Sequence, residues 1–315
     1  MLCACMIGVM AATTSCINED LSDCPVPADV ANVELIYQVE PTDDGDFLGG
    51  YTTSSLHLGF WDTPATLFAE QQLSGDDVPA DLIYSVALPR KDYDHLAMLN
   101  CANVVDDTHS SLPQSPADVL LAQKTVSKDT VPAMTAPVYT GLAELPLSQV
   151  EAGSDVAYRV MLAPCVARMM LNVKHSDYLC NLRCYVEGSK QGYYPYTGQW
   201  ADDPALRVDA TGTALINGED EIYFWFYTFP TSVTPRGKQA GGTGDDEPWR
   251  LYLYADYPEE DRTIKYTYTI SQQARAGEVL RAIFVITDTT ASSNVGAGVE
   301  IDIDWEPGLG YEVEM

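Results

Sequence analysis

The sequence predicts an all-β protein built from two β-sandwiches in tandem, and three observations carry that prediction. Apolar and polar residues alternate in short runs along most of the chain, the pattern of half-buried strands. Nineteen Tyr, seven Phe and five Trp accompany many Thr and Val, residue types that fit a pleated surface. Gly, Pro and Asp break the runs at intervals typical of sandwich turns. With 315 residues, 46% of them apolar, the chain can bury substantial cores. Two sandwiches of about 140–150 residues fit that length. No repeat of 20–50 residues points to a solenoid or propeller.

The N-terminus reads as an address. Residues 1–15 (MLCACMIGVMAATTS) carry no charge and end in small residues before Cys16. The run matches the apolar core of a secretory signal and is too short to span a bilayer. No Lys or Arg precedes it, and Thr13 stands where Leu is usual in a lipoprotein signal. A lipoprotein signal peptidase admits only small side chains before the Cys, so Cys16 is the expected lipid-modified first residue of the mature chain. Residues 16–25 then form a short acidic tether.

The first sandwich is expected over residues 26–163. Val33, Leu35, Tyr37 and Val39 share one face of a first strand, and Leu56, Leu58 and Phe60 one face of a second. Further strands are predicted over 81–88, 94–101, 135–142 and 155–162. Ser115–Gln123 is the one predicted helix of this half, with Ser115 as its cap and Pro116 at its first position. The second sandwich is expected over 164–315, starting after Pro164. Its strands are predicted over 166–174, 182–187, 205–210, 221–229, 249–257, 263–270, 279–287 and 298–305. Ile222–Tyr227 is apolar on both faces and therefore predicted to be central in its sheet. The last strand alternates Val299, Ile301, Ile303 and Trp305 inward with Glu300, Asp302 and Asp304 outward. Its edge is the candidate contact for another subunit, whether the strand is donated or stays internal.

Charge and motif searches remove several function classes. Forty-six Asp and Glu against 17 Lys and Arg give a net charge of −29, which opposes nucleic-acid partners and docking on anionic lipid. No apolar run reaches the length of a membrane span, so attachment to a membrane requires the lipid on Cys16. His57, His95, His109 and His175 have no metal spacing from one another or from a Cys. There is no GxSxG elbow, phosphate loop or dinucleotide fingerprint. Gly241–Glu247 lacks the Lys and helix of a phosphate loop and reads as an acidic hairpin tip. Asp43-Asp44-Gly45-Asp46 misses the EF-hand spacing and reads as a solvated turn. The chain is not expected to be an enzyme or to carry a cofactor or metal.

Five cysteines remain after the signal and Cys16, so at least one thiol is unpaired. A Cys24–Cys101 bridge, tying the tether to the first sandwich, is the favoured pairing. Cys180 and Cys184 cannot pair along one straight strand, because four residues span about 13 Å. They can pair across a turn, reach Cys165, or stay buried as small hydrophobes.

The tether Asp20-Leu21-Ser22-Asp23-Cys24-Pro25, shortly after Cys16, resembles the start of the fimbrillin-associated anchor proteins of Bacteroidales, the FimB-like anchor subunits. Tyr93–Asn103, Pro137-Val138-Tyr139-Thr140-Gly141, the strand after Pro164 and Ile303-Asp304-Trp305 resemble that family as well. The resemblance implies two transthyretin-like (Greek-key) β-sandwich domains on a surface lipoprotein of the outer membrane. Its expected role is to hold a fimbrium to the cell and influence its length, with fimbrial shaft or accessory subunits as partners. Fibre subunits of this kind lose an N-terminal strand to a trypsin-like protease, which opens a groove for a neighbour's strand. Here no Lys or Arg occurs before Arg90, and residues 17–89 hold 14 acids. The first strand is thus expected to be retained. The alternative is a surface glycan-binding or adhesin lipoprotein that stacks sugars on Tyr193, Tyr194, Tyr196 and Trp200.

Overall fold

The computed structural model describes residues 29–42, 47, 53–62, 66–102, 111–123, 130–201, 207–218, 220–231, 248–287, 290–293 and 299–307, the last of these by its backbone. Among these residues there are 21 strands and no α-helix, and the chain folds into β-sandwiches. The first strands are β1 (Val30–Val39), β2 (Ser55–Asp62), β3 (Thr66–Ser74), β4 (Ile83–Pro89) and β5 (Asp92–Leu99). After them come β6 (Leu121–Ala122), β7 (Thr130–Pro132), β8 (Tyr139–Pro146) and β9 (Asp155–Pro164).

Seven of these strands form one folded-over sheet in the order β3-β2-β5-β8-β9-β1-β4. Its fold lies at β8 and β9, which pair only at Tyr139–Pro164 and Thr140–Ala163 before diverging. A Cβ on Gly141 would stand 2.5 Å from the Met161 carbonyl oxygen, so the corner needs glycine there. The two layers close on a core in which Val33, Leu35 and Tyr37 of β1 pack with Leu58, Phe60, Leu96 and Val160. Each fully buried side chain of this size contributes about 1.5–3 kcal/mol.

The second group of strands begins with β10 (Ala167–His175), β11 (Cys180–Glu187), β12 (Gly192–Tyr194), β13 (Gln199–Ala201), β14 (Arg207–Asp209) and β15 (Ala214–Ile216). It continues with β16 (Glu221–Thr228), β17 (Trp249–Tyr257), β18 (Arg262–Ile270), β19 (Val279–Ile286), β20 (Ala291–Ser293) and β21 (Val299–Pro307). A five-stranded sheet, β15-β16-β10-β19-β20, and a six-stranded sheet, β21-β18-β17-β11-β14-β7, enclose the second core. Both sandwiches repeat one local plan. The first strand lies between an antiparallel neighbour and a parallel strand from late in the same half: β4-β1-β9 in one, β16-β10-β19 in the other.

Two expectations change. Ser115–Gln123 is not an α-helix: a single 3-10 turn, Pro116–Asp118, leads into β6, and Ser115 makes no capping bond. Val119, Leu121 and Gln123 are all buried, a two-residue period that suits a strand, and β6 pairs with β12. The strand expected at 135–142 starts only at Tyr139. Pro137 has no N–H for a ladder, and its carbonyl instead accepts from Asn100 Nδ2 at 3.0 Å.

One polar chain crosses the first core. His95 on β5 is fully buried and stacks on Phe60 at 4.6 Å. Its Nδ1–H donates to the Gly59 carbonyl at 2.9 Å, which leaves Nε2 to accept from the Tyr37 hydroxyl of β1 at 3.0 Å. Burial pushes the imidazole pKa down to about 4. The folded state therefore refuses a proton that the unfolded chain accepts near pH 6.5, so stability is present above that pH and is lost as pH falls towards 4. At about 1.36 kcal/mol per unit, the loss for this residue is about 3 kcal/mol. Urea unfolding at pH 7.5 and pH 4.5 should show that loss in the wild type, and a clearly smaller one in His95→Gln.

Candidate functional site

The β1 slot is the first place where subunit contact can be decided. β1 pairs with β4 from Val30–Pro89 to Ile36–Ile83 and with β9 from Asn32–Asp155 to Val39–Leu162. It is therefore an interior strand with both edges occupied. Ala31, Val33, Leu35 and Tyr37 are its buried row. Arg90 fastens its start: the guanidinium meets Asp29 at 2.6 Å and Nε donates to the Val150 carbonyl. Gly153 N–H also donates to the Val30 carbonyl at 2.8 Å.

The direction of β1 matters for linkage. β1 runs parallel to β9, and β9 leads through Pro164 straight into β10. The start of β1 thus lies at the end of the first sandwich away from the second. β21 ends at Pro307, opposite Arg262, and Arg262 pairs with Tyr257. The neighbouring pair Cys180–Asp256 marks the turn between β10 and β11, at the far end of the second sandwich. The start of β1 and the end of β21 are therefore at opposite poles.

The candidate contact strand, β21, occupies an edge of the six-stranded sheet and pairs along its whole length with β18. Its register sets Val299 opposite Ile270, Ile301 opposite Tyr268, Ile303 opposite Tyr266 and Trp305 opposite Ile264, all four partners being fully buried. β21 is thus held along one side by β18 of its own chain. What it offers a neighbour is its outer backbone edge.

The aromatic segment 193–200 is committed elsewhere. β12 and β13 form a hairpin that reaches from the second sandwich to β6. Tyr193 and Trp200 pair with ring centroids 4.6 Å apart and pack on the first core, where Trp200 also meets Phe229. The Tyr196 hydroxyl donates to Asp94 at 2.9 Å. Phe47 sits beside this seam, edge-on to Tyr139 and Tyr227 at 6.3 and 5.7 Å, and Tyr227 donates to its carbonyl. Tyr193 and Trp200 thus bind the halves together instead of presenting open stacking faces.

Cys101, Cys165 and Cys184 are buried thiols and Cys180 is half-buried; none of the four is bonded to another. Burial pushes the Cys101 thiol up to about 12 and raises the others. These thiols are poor nucleophiles. The proposed lipid site Cys16 and bridge partner Cys24 lie outside the described residues, as do His109, Asp43–Asp46 and Gly241–Glu247. No cluster of three metal-ligating side chains occurs among the described residues. Sequence reasoning missed β3, whose faces are both only partly buried, and the Tyr37–His95 pair, which joins positions 58 residues apart.

Because β1 faces the core with one row only, truncation there separates slot packing from surface effects. Leu35→Ala should cost about 2–5 kcal/mol, and Glu34→Ala, on the exposed row, within about 0.5 kcal/mol; urea midpoints of the two variants measure both.

No family model and no curated protein matches the chain. Solved structures do match in fold. A candidate adhesin from Bacteroides ovatus superposes with a TM-score of 0.55 at 11% identity, covering 89% of this chain and 97% of that one. A candidate polysaccharide-binding protein from Bacteroides thetaiotaomicron gives 0.54 at 10% identity, over 86% and 97%. The fimbrial anchor protein Mfa2 from Porphyromonas gingivalis gives 0.50 at 12% identity, over 87% and 97%. The likeness extends along nearly the whole of each chain, so this protein shares the β-sandwich fold of these proteins.

Proposed function

We propose that this protein is a fimbrial anchor: an outer-membrane lipoprotein, attached through Cys16, that holds a fibre to the cell surface by strand-mediated contact with fimbrial shaft or accessory subunits and influences fibre length. The observation that carries this reading is the retained first strand. β1 is paired on both sides, its buried row fills the first core, and no Lys or Arg occurs before Arg90. A trypsin-like protease has no site at which to release it, so the groove between β4 and β9 stays filled. A subunit whose groove cannot be opened accepts no donor strand there, which suits a fibre terminus. The opposite placement of the start of β1 and the end of β21 supports linkage between membrane and fibre. The resemblance of Asp20–Pro25 to the anchor family and the fold likeness to a fimbrial anchor point the same way.

The proposal includes the organisation 1–15 signal, 16–25 lipidated tether, and sandwiches over 26–163 and 164–315. Strands cross between the last two, since β7 pairs with β14 and β6 with β12. A Cys24–Cys101 bridge would tie the tether to a buried thiol at the end of β5. No arrangement of described residues supports catalysis: His95 is locked in its hydrogen bonds and the thiols are held protonated by burial.

Deleting the gene in its native cells should lengthen or shed the fibres, seen by electron microscopy of cells and of medium. The wild-type gene should restore attachment and Cys16→Ala should not. Fibres that stay attached and unchanged after deletion would overturn the anchor reading.

A further inference from the structure

The turn between β15 and β16 holds a reactive pair. Asn217 is followed by Gly218, whereas every other Asn of the chain precedes a residue with a side chain. The backbone nitrogen after an Asn can close a five-membered imide ring on the side-chain amide carbon. A side chain on that next residue hinders the closure, and glycine has none. Asn217 and Gly218 are both exposed, so water reaches the amide. Gly218 stands at φ +89, and among the described residues nothing accepts its N–H. The amides that follow Asn32 and Asn172, those of Val33 and Val173, are instead set in strands paired on both sides.

The same Asn fastens an edge strand. Its N–H donates to the Glu221 carbonyl at 2.9 Å, and its Nδ2 to the Glu221 carboxylate at 2.8 Å. Bonds from Asn172 and Asn217 hold that carboxyl below the usual carboxylate range. Beyond Asn217 the β15–β16 ladder is short: Ala214–Phe224, Leu215–Tyr223 and Ile216–Ile222. β15 lies at the edge of the five-stranded sheet, so this ladder and the turn are what hold it in register.

We propose that Asn217 is a site of spontaneous deamidation, and that its isoaspartate product releases β15 from β16. The inference stands apart from the anchor reading. Hydroxide takes the Gly218 amide proton, and the nitrogen attacks Asn217 Cγ. The new N–Cγ bond forms, the Cγ–Nδ2 bond breaks, and ammonia leaves with a proton from water. Water then opens the imide at either carbonyl, giving aspartate or isoaspartate. One water is consumed and one ammonia released overall, with no oxidant or reductant. Both products put a carboxylate where Nδ2 donated to Glu221, so a hydrogen bond becomes a contact between like charges. Isoaspartate also routes the main chain through the former side chain, adding a methylene that breaks the turn. With β15 released, β16 presents an outer backbone edge along Ile222–Phe224.

The test is to hold the purified full chain in mildly alkaline buffer and follow its peptides by mass spectrometry. The Asn217 peptide should gain the mass that separates an acid from its amide about tenfold faster than the Asn32 or Asn172 peptides. It should split into two chromatographic products, one of them an acceptor for isoaspartyl methylation. Amide hydrogen exchange over residues 214–216 and 222–224 should quicken in the aged protein. It should stay slow in freshly made Asn217→Asp, whose main chain keeps its length, and in aged Asn217→Gln, whose longer side chain closes the ring poorly. Conversion no faster at Asn217 than at Asn32 overturns the proposal. Conversion with unchanged exchange over 214–216 overturns the release of β15. Equal quickening in aged Asn217→Gln assigns the loosening to another cause and overturns it as well.

Discussion

The seating of β1 between β4 and β9 is the constraint on which the first sandwich depends. Its row Ala31, Val33, Leu35 and Tyr37 supplies the inner surface of one layer, and its two ladders turn β4 and β9 into one sheet. Without it, β4 and β9 would each expose a backbone edge and the core would open to solvent. The Tyr37–His95–Gly59 chain makes this seating specific to one register. A slip of one residue would turn Tyr37 to the outer face and leave the His95 ring nitrogen unpaired in a dry core. Backbone pairing alone would accept many strands; this polar pair accepts a strand with a hydroxyl at one position.

A second constraint joins the halves. Load applied at one pole reaches the other only if the sandwiches do not hinge, and the seam is filled with aromatic side chains instead of solvent. Phe47 is fully buried between Tyr139 and Tyr227, while Trp200 and Tyr193 arrive from the β12–β13 hairpin to pack on the first core. Main-chain ties cross at the same level, where Met134 exchanges two hydrogen bonds with Tyr227 at 3.0 and 2.7 Å. Interfaces of rings and ladders resist shear because every ring would have to leave its partners together. Tyr193 and Trp200, two of the hairpin aromatics that looked like sugar platforms in the sequence, are fasteners of this seam.

Much of the fold was legible because its strands alternate cleanly. Val33–Val39 shows its inner row directly, since one side of β1 faces the core and the other is largely exposed, and Leu56–Phe60 alternates in sequence although β2 is buried on both sides. The illegible parts are those where tertiary contact decides. Ser115–Gln123 opens with a cap-type Ser and a Pro and therefore reads as helix, and only pairing with β12 makes Leu121–Ala122 a strand. β3 lies at a sheet edge with neither face fully covered, so no alternation marks it. Ile222–Tyr227 was read as central because both faces are apolar, yet β16 lies second from the edge with Trp225 exposed. The pattern reports what the side chains are suited to pack against, not how far from the sheet edge the strand lies. The slot around β1 was legible only in part: the absence of Lys and Arg before Arg90 is written in the sequence, whereas the double pairing that makes that absence matter is not.

The distribution of cations follows from the same division of labour. All 17 Lys and Arg lie at or after residue 90. Within the first sandwich Arg90 serves as a fastener for the start of β1 and Lys91 pairs with Asp62 at 2.8 Å. In the second, Arg183 and Arg207 pair with Asp256 and Glu187 at 2.7 and 2.9 Å and lie over Tyr254 and over Tyr185 and Tyr252. Such pairs keep that face of the six-stranded sheet satisfied within the chain. On the five-stranded sheet Lys174 likewise pairs with Glu221 at 3.8 Å, and Arg168 lies over Trp225 and Tyr227. An acidic molecule is repelled by acidic neighbours over most of its surface, at distances up to about the Debye length of 8–10 Å. These cations are committed to fastening strands within the chain, so they do little to offset that acidic field at the surface.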